Sequence, residues 1–203
     1  MTTQTKEIQN SLSPNRALDI LKEGNVRFVK GQRDARNYKE QVEITSGGQF
    51  PFAAILSCID SRVPVELLFD QGIGDVFSAR VAGNIVNEDI LGSLEYSCKV
   101  AGSKLVVVLG HSKCGAVTAA CKNVELGNIT PMLAKVKPAV EQVISDSSNV
   151  DEESIEKVAG LNVQLSIDRI RKESPILNEM EQNREIAIVG AMYDVSSGVV
   201  SFT

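Results

Sequence analysis

Two short clusters in the chain combine residue types that bind metal ions and activate water. The first contains Cys58, Asp60 and Arg62, and the second contains His111 and Cys114. Two thiolates and one imidazole form a nitrogen and sulfur donor set that suits zinc. The chain has a single histidine, so any imidazole chemistry of its own must use His111. The two clusters together therefore predict a zinc site.

The number of predicted ligands indicates what kind of zinc site this is. Structural zinc sites are usually closed by four protein ligands, whereas catalytic sites keep a position for water or substrate. The two clusters offer three soft ligands, Cys58, His111 and Cys114. Zinc held in this way can lower the pKa of bound water to about 7, which makes hydroxide available near neutral pH. Three ligands therefore favour a catalytic site.

Asp60 has two possible roles, and the spacing leaves both open. It lies two residues from Cys58, so it could bind zinc as a fourth ligand and close the site. Alternatively, Arg62 holds its carboxylate through paired, charged hydrogen bonds. Asp60 would then accept a hydrogen bond from hydroxide on zinc and orient it for attack.

Each of these residues also has a simpler structural interpretation. An Asp-x-Arg pair is usually a surface or structural ion pair, and an isolated His-x-x-Cys spacing can be coincidence. Cys98 and Cys121 lie in apolar stretches and are predicted to be core residues. A functional site is favoured because both clusters directly follow predicted strands and lie beside small residues.

The strands that must position the clusters are short apolar runs at 52–56 and 104–109. Continuous runs of this kind are typical of strands buried on both faces of a sheet. In open α/β sheets, ligands bind just beyond the carboxyl ends of the strands. If these two strands are neighbours, Cys58, His111 and Cys114 can meet in space.

The remaining pattern alternates strands with helices, which predicts βαβ units and a mainly parallel central sheet flanked by helices. Further strands are predicted at 75–79, 185–193 and 199–202, and the last is expected to be antiparallel after a Ser197-Gly198 turn. Helices are predicted from Ser13-Pro14 to Gly31, at 65–69, at 89–100, after Gly110 to about Cys121, at 131–145 and at 151–172. Residues 1–12 are expected to be loose and 32–49 to be a connector. Residues 1–50 thus form a helical arm and connector within the same domain as an α/β core at 51–203.

Length, charge and composition exclude several classes of protein. The 203 residues, with 43% hydrophobic residues, suit one sizeable domain. The net charge of −5 leaves no basic surplus for nucleic acid. No apolar run approaches the roughly 20 residues that span a bilayer. The polar N-terminus lacks a signal-peptide core, which predicts a cytoplasmic location, where cysteines act as ligands, nucleophiles or core residues before they form disulfides.

The paired motifs Cys58-x-Asp60-x-Arg62 and His111-x-x-Cys114, about fifty residues apart, resemble those of the β-class carbonic anhydrases. The resemblance covers most of the chain. Three other stretches are similar to family landmarks: residues 21–28, residues 80–84 and Glu95-Tyr96.

The resemblance implies reversible hydration of CO2 to bicarbonate and a proton. Zn2+ would be held by Cys58, His111 and Cys114, hydroxide on zinc would attack CO2, and Asp60 and Arg62 would form the catalytic dyad. The implied substrate-binding residues are Gln49, Phe77, Ala82 and Tyr96, although core packing also explains Phe77 and Tyr96. The implied sheet has four parallel strands and an antiparallel edge strand. The implied assembly is a homodimer that shares the substrate pocket and is embraced by the N-terminal helices, with a dimer of dimers as a further possibility.

Three alternatives to this assignment concern the coordination of zinc, the substrate and the presence of a catalytic role. Some bacterial members use a tryptophan near the first cysteine to build a bicarbonate site that favours zinc ligated by the aspartate. The chain has no tryptophan, so we expect Asp60 to be paired with Arg62 at neutral pH. Some relatives hydrolyse carbonyl sulfide or carbon disulfide with the same ligands. A non-catalytic zinc protein is the third alternative, but it would have no use for the Asp60–Arg62 pair.

Overall fold

A five-stranded sheet forms the centre of the computed structural model, which describes residues 3–144 and 150–203. The strand order is β2-β1-β3-β4-β5. Strands β1 to β4 are parallel to one another, and β5 is antiparallel to β4. The strands are β1 (Ala53–Ser57), β2 (Val76–Arg80), β3 (Leu105–His111), β4 (Ala187–Tyr193) and β5 (Val200–Phe202). The predicted α/β fold, with four parallel strands and an antiparallel edge strand, is confirmed.

Strands β1 and β3 are direct neighbours at the centre of the sheet. Their register pairs Ala53 with Leu105 and Ser57 with Leu109, so the two chain segments leave the sheet side by side. Every residue of both strands is buried, as their continuous apolar sequences predicted. Cys58, just after β1, and His111, at the end of β3, therefore lie at the same edge of the sheet.

Helices cover both faces of the sheet and form the N-terminal region. They are α1 (Lys6–Ser11), α2 (Pro14–Val29), α3 (Tyr38–Thr45), α4 (Val65–Leu68), α5 (Glu88–Glu95), α6 (Gly115–Cys121), α7 (Ile129–Leu133), α8 (Lys137–Val143), α9 (Glu152–Glu173) and α10 (Pro175–Gln182). The start of α2 agrees with the prediction, because the Ser13 side chain accepts the Arg16 N–H and Pro14 is the first helical residue. Its end also agrees, with Gly31 at a φ of 66°. Among the described residues, none of the helices combines the length and apolar character needed to cross a membrane.

Two segments expected to be irregular contain helices. The predicted loose segment 1–12 includes α1, which is capped by Thr5 and anchored where the Gln9 amide donates to the carbonyls of Pro51 and Ala101; residues 1 and 2 lie outside the described ranges. The predicted connector 32–49 includes α3, which Asn37 caps through the Glu40 N–H. Both expectations were wrong because capping and distant contacts stabilise short, polar helices.

Three other helical predictions differ in detail. The segment 89–100 forms α5 and then a π-helical turn at Tyr96–Val100. The segment 131–145 is mostly divided between α7 and α8, and residue 145 lies outside the described ranges. Helix α10 was not predicted, although Ser174 caps it and Pro175 is its first residue.

The long N-terminal helix α2 packs closely on the core of its own chain. A Cβ at Gly24 would lie 1.8 Å from the carbonyl oxygen of Phe69, so only glycine permits this approach. The Asn25 amide donates to the carbonyls of Leu68 and Gly198, and its oxygen accepts the Val200 N–H. These contacts tie α2 to the loop after α4 and to the edge strand β5.

Candidate active site

The three predicted ligands meet at the carboxyl edge of the sheet. Cys58 follows β1, His111 ends β3, and Cys114 immediately precedes α6. Their ligand atoms all lie within 4.8 Å of one another, and all three residues are buried. The pairing of β1 with β3, the condition that the sequence left open, thus brings the three side chains together.

The hydrogen bonds of His111 leave one ring nitrogen available for a metal. Its Nδ1 lies 2.9 Å from the carbonyl oxygen of Ser112, and because a carbonyl only accepts, Nδ1 carries the proton. Its Nε2 is buried without a hydrogen-bond partner among the described residues. A buried, unpartnered nitrogen beside two thiols fits a zinc ion that takes this lone pair.

The two ligand thiols differ in acidity because they face each other. The pKa of Cys58 lies well below that of a free thiol. The largest cause is the hydrogen bond that the Cys114 thiol donates to its sulfur, and His111 and the Gly83 N–H lower the pKa further, despite burial. The Gly83 nitrogen lies 3.4 Å from the Cys58 Sγ. The Cys58 thiolate and burial raise the pKa of Cys114. A metal cation in place of the shared proton would favour both thiolates.

Asp60 and Arg62 form a closely paired dyad next to the ligands. The Asp60 Oδ1 accepts from the Arg62 backbone N–H and Nε, both at 2.9 Å, and Oδ2 accepts from Nη2 at 2.7 Å. These bonds hold the pKa of Asp60 far below its usual range. The Asp60 Oδ2 lies 3.9 Å from the His111 Nε2. Of the two roles that the sequence left open for Asp60, the structure displays the pairing with Arg62.

Arg80, at the end of β2, fixes the loop that carries Cys58 and Asp60. Its Nε donates to the Cys58 carbonyl at 3.0 Å and its Nη2 to the Asp60 carbonyl at 2.6 Å. The register of β1 and β2 pairs Ser57 with Arg80, which places the guanidinium beside this loop. Arg80 therefore acts as a support for the site through the backbone.

The four predicted substrate-binding residues fall into two groups. Ala82 adjoins Gly83, whose N–H contacts the Cys58 sulfur. Phe77 on β2 pairs with Ala54 on β1. Ala54 precedes Cys58 by four residues, and at about 3.3 Å per residue this places the Phe77 backbone roughly 13 Å from the cluster. Gln49 is exposed and precedes β1, at the opposite edge of the sheet.

Tyr96 lies with Phe77 rather than with the ligands of its own chain. The two rings meet edge to face with centroids 6.3 Å apart. Both line an open cavity of about 660 Å3 beside the edge strand β2, and neither the three ligands nor the dyad line it. The structure thus separates Gln49, Phe77 and Tyr96 from the metal cluster of the same chain.

The other two cysteines are core residues, as predicted. Both are buried and unpaired. Burial raises the pKa of Cys98 to about 11 and also raises the pKa of Cys121. They therefore remain neutral thiols that fill the core.

Sequence reasoning missed two supporting residues on α9. The Asn162 amide donates to the carbonyl of Gly83 at 2.9 Å, the residue whose N–H contacts the Cys58 sulfur. Glu156 accepts the Lys113 N–H at 2.7 Å, between the two ligands of the second cluster. Neither has a local signal, because both look like ordinary polar residues of an amphipathic helix.

The mainly parallel sheet thus brings a buried Cys-His-Cys cluster and the Asp60–Arg62 pair together at its carboxyl edge, a donor set that suits zinc. The family model for carbonic anhydrase matches residues 53–200. A protein named carbonic anhydrase 2 from Mycobacterium tuberculosis is 36% identical over 195 residues, which cover 92% of this chain and 91% of the relative.

Solved structures agree with this match. The β-carbonic anhydrase CafA of Aspergillus fumigatus superposes with a TM-score of 0.75 at 28% identity, covering 93% of this chain and 89% of that one. One of two tetrameric β-carbonic anhydrases from Sordaria macrospora superposes with a TM-score of 0.70 at 25% identity, covering 81% and 89%. The chain belongs to the β-class carbonic anhydrase family. It is a carbonate dehydratase with a zinc site of the Cys-His-Cys type.

Proposed function

We propose that Cys58, His111 and Cys114 hold the catalytic zinc and that the Asp60–Arg62 dyad directs the hydration of CO2. The observation that carries this assignment is the buried, unpartnered His111 Nε2, which lies between two thiols and 3.9 Å from the Asp60 Oδ2. When bound, zinc lowers the pKa of a water molecule so that hydroxide is available near neutral pH.

The dyad orients the attacking oxygen. Asp60 Oδ2 accepts the hydrogen of the nucleophile, which turns an oxygen lone pair toward the carbon of CO2. Arg62 keeps the carboxylate ionised and fixed in direction, because it donates to both of its oxygens. The new carbon–oxygen bond gives bicarbonate, and a second water restores the site and releases one proton to solvent.

We infer that the substrate pocket is completed by a second copy of the chain. Gln49, Phe77 and Tyr96 lie away from the cluster of their own chain, and Phe77 and Tyr96 face the cavity beside the edge strand β2. Tyr96 is 54% exposed and Val100 is 70% exposed on this side, which is typical of an interface. A homodimer that brings these residues to the partner's cluster would supply the apolar wall for CO2. A dimer of dimers is supported only by the likeness to the tetrameric Sordaria macrospora enzymes.

A stopped-flow assay of CO2 hydration on the zinc-loaded protein tests the assignment, with carbonyl sulfide hydrolysis measured beside it. We expect one zinc per chain and hydration of CO2 as the faster reaction. A zinc-loaded protein that hydrolyses carbonyl sulfide but hydrates CO2 no faster than buffer would contradict the proposal.

A mixing experiment tests the shared pocket. Cys114→Ser removes a ligand and Phe77→Asp spoils the apolar wall, so each variant alone should be nearly inactive. Dimers formed from both variants contain one site with an intact cluster and an intact wall, and they should regain activity. Absence of any regain, in mixtures that native mass spectrometry shows to contain mixed dimers, would place the wall and the cluster in one chain.

A further inference from the structure

Lys113 lies between the two ligands of the second cluster and adopts a backbone conformation that is unusual for lysine. Its φ angle is 53°, in the left-handed region where a residue with a Cβ is less stable than glycine. The chain must turn here so that His111, at the end of β3, and Cys114, at the start of α6, face the same point. Interactions outside this turn must therefore hold Lys113 in place.

Charged side chains from two other elements bind both polar groups of the Lys113 backbone. Its N–H donates to the Glu156 Oε1 at 2.7 Å, across 43 residues of sequence. Its carbonyl accepts from the Arg62 Nη2 at 3.1 Å. The same guanidinium nitrogen donates to Asp60, so a continuous chain of hydrogen bonds joins α9, the Lys113 peptide and the dyad.

We propose that Glu156 is a positioning residue for the zinc site and acts through the Lys113 backbone. By accepting the Lys113 N–H, Glu156 holds the left-handed turn that sets the separation of His111 and Cys114. The same turn presents the Lys113 carbonyl to Arg62 and so helps to orient the dyad. This inference rests on the zinc site proposed above, and it assigns Glu156 no contact with substrate.

The packing of α9 makes this role separable from general stability. Val158 and Ala159 are buried in the core, and Asn162 donates to the Gly83 carbonyl, so α9 is anchored without Glu156. Glu156 itself is only partly buried. Its loss should therefore free the Lys113 turn and leave the helix in place.

Glu156→Ala in the full chain tests the proposal, with Glu153→Ala as its matched control. Glu153 lies on the same helix, is exposed and pairs with the exposed Lys157 at 2.7 Å. We expect Glu156→Ala to lower kcat and zinc affinity about tenfold each, as loss of a partner that orients metal ligands commonly does. KM and the melting temperature should change no more than in the control. In the cobalt-substituted protein, the thiolate and ligand-field absorption bands should shift for Glu156→Ala alone.

Two further variants separate the hydrogen bond from other effects. Glu156→Gln keeps a carbonyl oxygen that can accept the Lys113 N–H, so it should recover most of the loss. Lys113→Gly adopts the left-handed turn at little cost, so Glu156→Ala should do less damage in that background.

The proposal is overturned if Glu156→Ala matches Glu153→Ala in kcat, zinc affinity and cobalt spectrum. It is equally overturned if Glu156→Gln is as impaired as Glu156→Ala, or if Lys113→Gly gives no relief. Zinc affinity, measured by competition with a chelator, and the cobalt spectrum do not depend on turnover. If the wild-type protein failed to hydrate CO2, the proposed function would be wrong, but zinc affinity and the cobalt spectrum would still test whether Glu156 positions the metal ligands.

Discussion

Replacing Asp60 with asparagine is the most direct test of the dyad. The substitution keeps the shape of the side chain and removes its charge. If the asparagine oxygen takes the Oδ1 position, it keeps the two bonds from the Arg62 backbone N–H and Nε. Its NH2 group then faces the Arg62 Nη2 at the 2.7 Å spacing where Oδ2 now accepts. That NH2 can no longer accept the hydrogen of the nucleophile.

The expected fall in kcat/KM is the contribution of the charge-assisted hydrogen bond from the nucleophile to Asp60 Oδ2, which asparagine in this orientation cannot accept. Such bonds contribute about 1.5–3 kcal/mol when they are buried. The Asp60 side chain, which accepts this bond, is 18% exposed, and partial solvent screening places the value in the lower half of that range, at about 2 kcal/mol. At about 1.4 kcal/mol for each factor of ten, kcat/KM should fall roughly 30-fold. Zinc content should not change, because the three ligands are untouched.

Stopped-flow hydration of CO2 near neutral pH gives kcat/KM, and plasma mass spectrometry gives zinc per chain. Asp19→Asn is the matched control, because Asp19 is an exposed residue of α2 and belongs to neither the ligand cluster nor the dyad. A fully zinc-loaded Asp60→Asn protein with wild-type kcat/KM would refute the orienting role. Loss of zinc together with activity would show that Asp60 instead serves to retain the metal.

Three further predictions concern the metal, the released proton and the fold. His111→Ala or Cys114→Ser should lose most of the zinc, and full zinc content in Cys114→Ser, measured by mass spectrometry, would remove it from the ligand set. Because the only histidine is assigned to zinc, turnover at neutral pH should rise with the concentration of an imidazole-type buffer while kcat/KM barely changes; stopped-flow turnover independent of buffer would indicate an internal proton relay. Asp70 is buried against Arg27 and Arg36, so Asp70→Asn should lower the free energy of unfolding in urea by about 3 kcal/mol at pH 7. Burial alone would raise the pKa of Asp70, but these arginines hold it below its usual value. The stabilisation that ionised Asp70 provides is therefore complete above a pH of about 4, and the difference in unfolding free energy between wild type and variant should narrow below that pH. A difference that widens in acid would contradict this.

The metal site was predictable because its determinants are local in sequence. Cys58 and His111 each follow a continuous apolar strand, and the parallel arrangement of such strands brings their carboxyl ends to one edge. The non-local requirement was that β1 and β3 be neighbours, which the sequence left as a condition and the structure meets. The residue types then predicted the metal, since two thiols and one imidazole suit zinc.

The N-terminal helices were not predictable in the same way. Helix α1 has six residues and α3 has eight, and both are too short to be stable by propensity alone. Their stabilising contacts are long-range, as where Gln9 donates to the Pro51 carbonyl and Gln41 accepts the Ile73 N–H. A polar glutamine in a polar stretch gives no sign of such a partner.

The supports of the active site explain why a loop can hold catalytic groups at fixed positions. Beyond the last residues of β1 and β3, the ladder of backbone hydrogen bonds ends, and the freed carbonyls and N–H groups need other partners. Arg80 supplies two donors to the loop after β1, and Glu156 supplies an acceptor to the loop after β3. Each support comes from an element other than the one that carries the ligands, and Arg62 links the two loops through the Lys113 carbonyl. Backbone groups at the carboxyl edge of a parallel sheet have no partner within the sheet, so side chains such as Arg80 and Glu156 must bind them. Because these side chains fix the loops, the same edge can hold polar side chains against a metal.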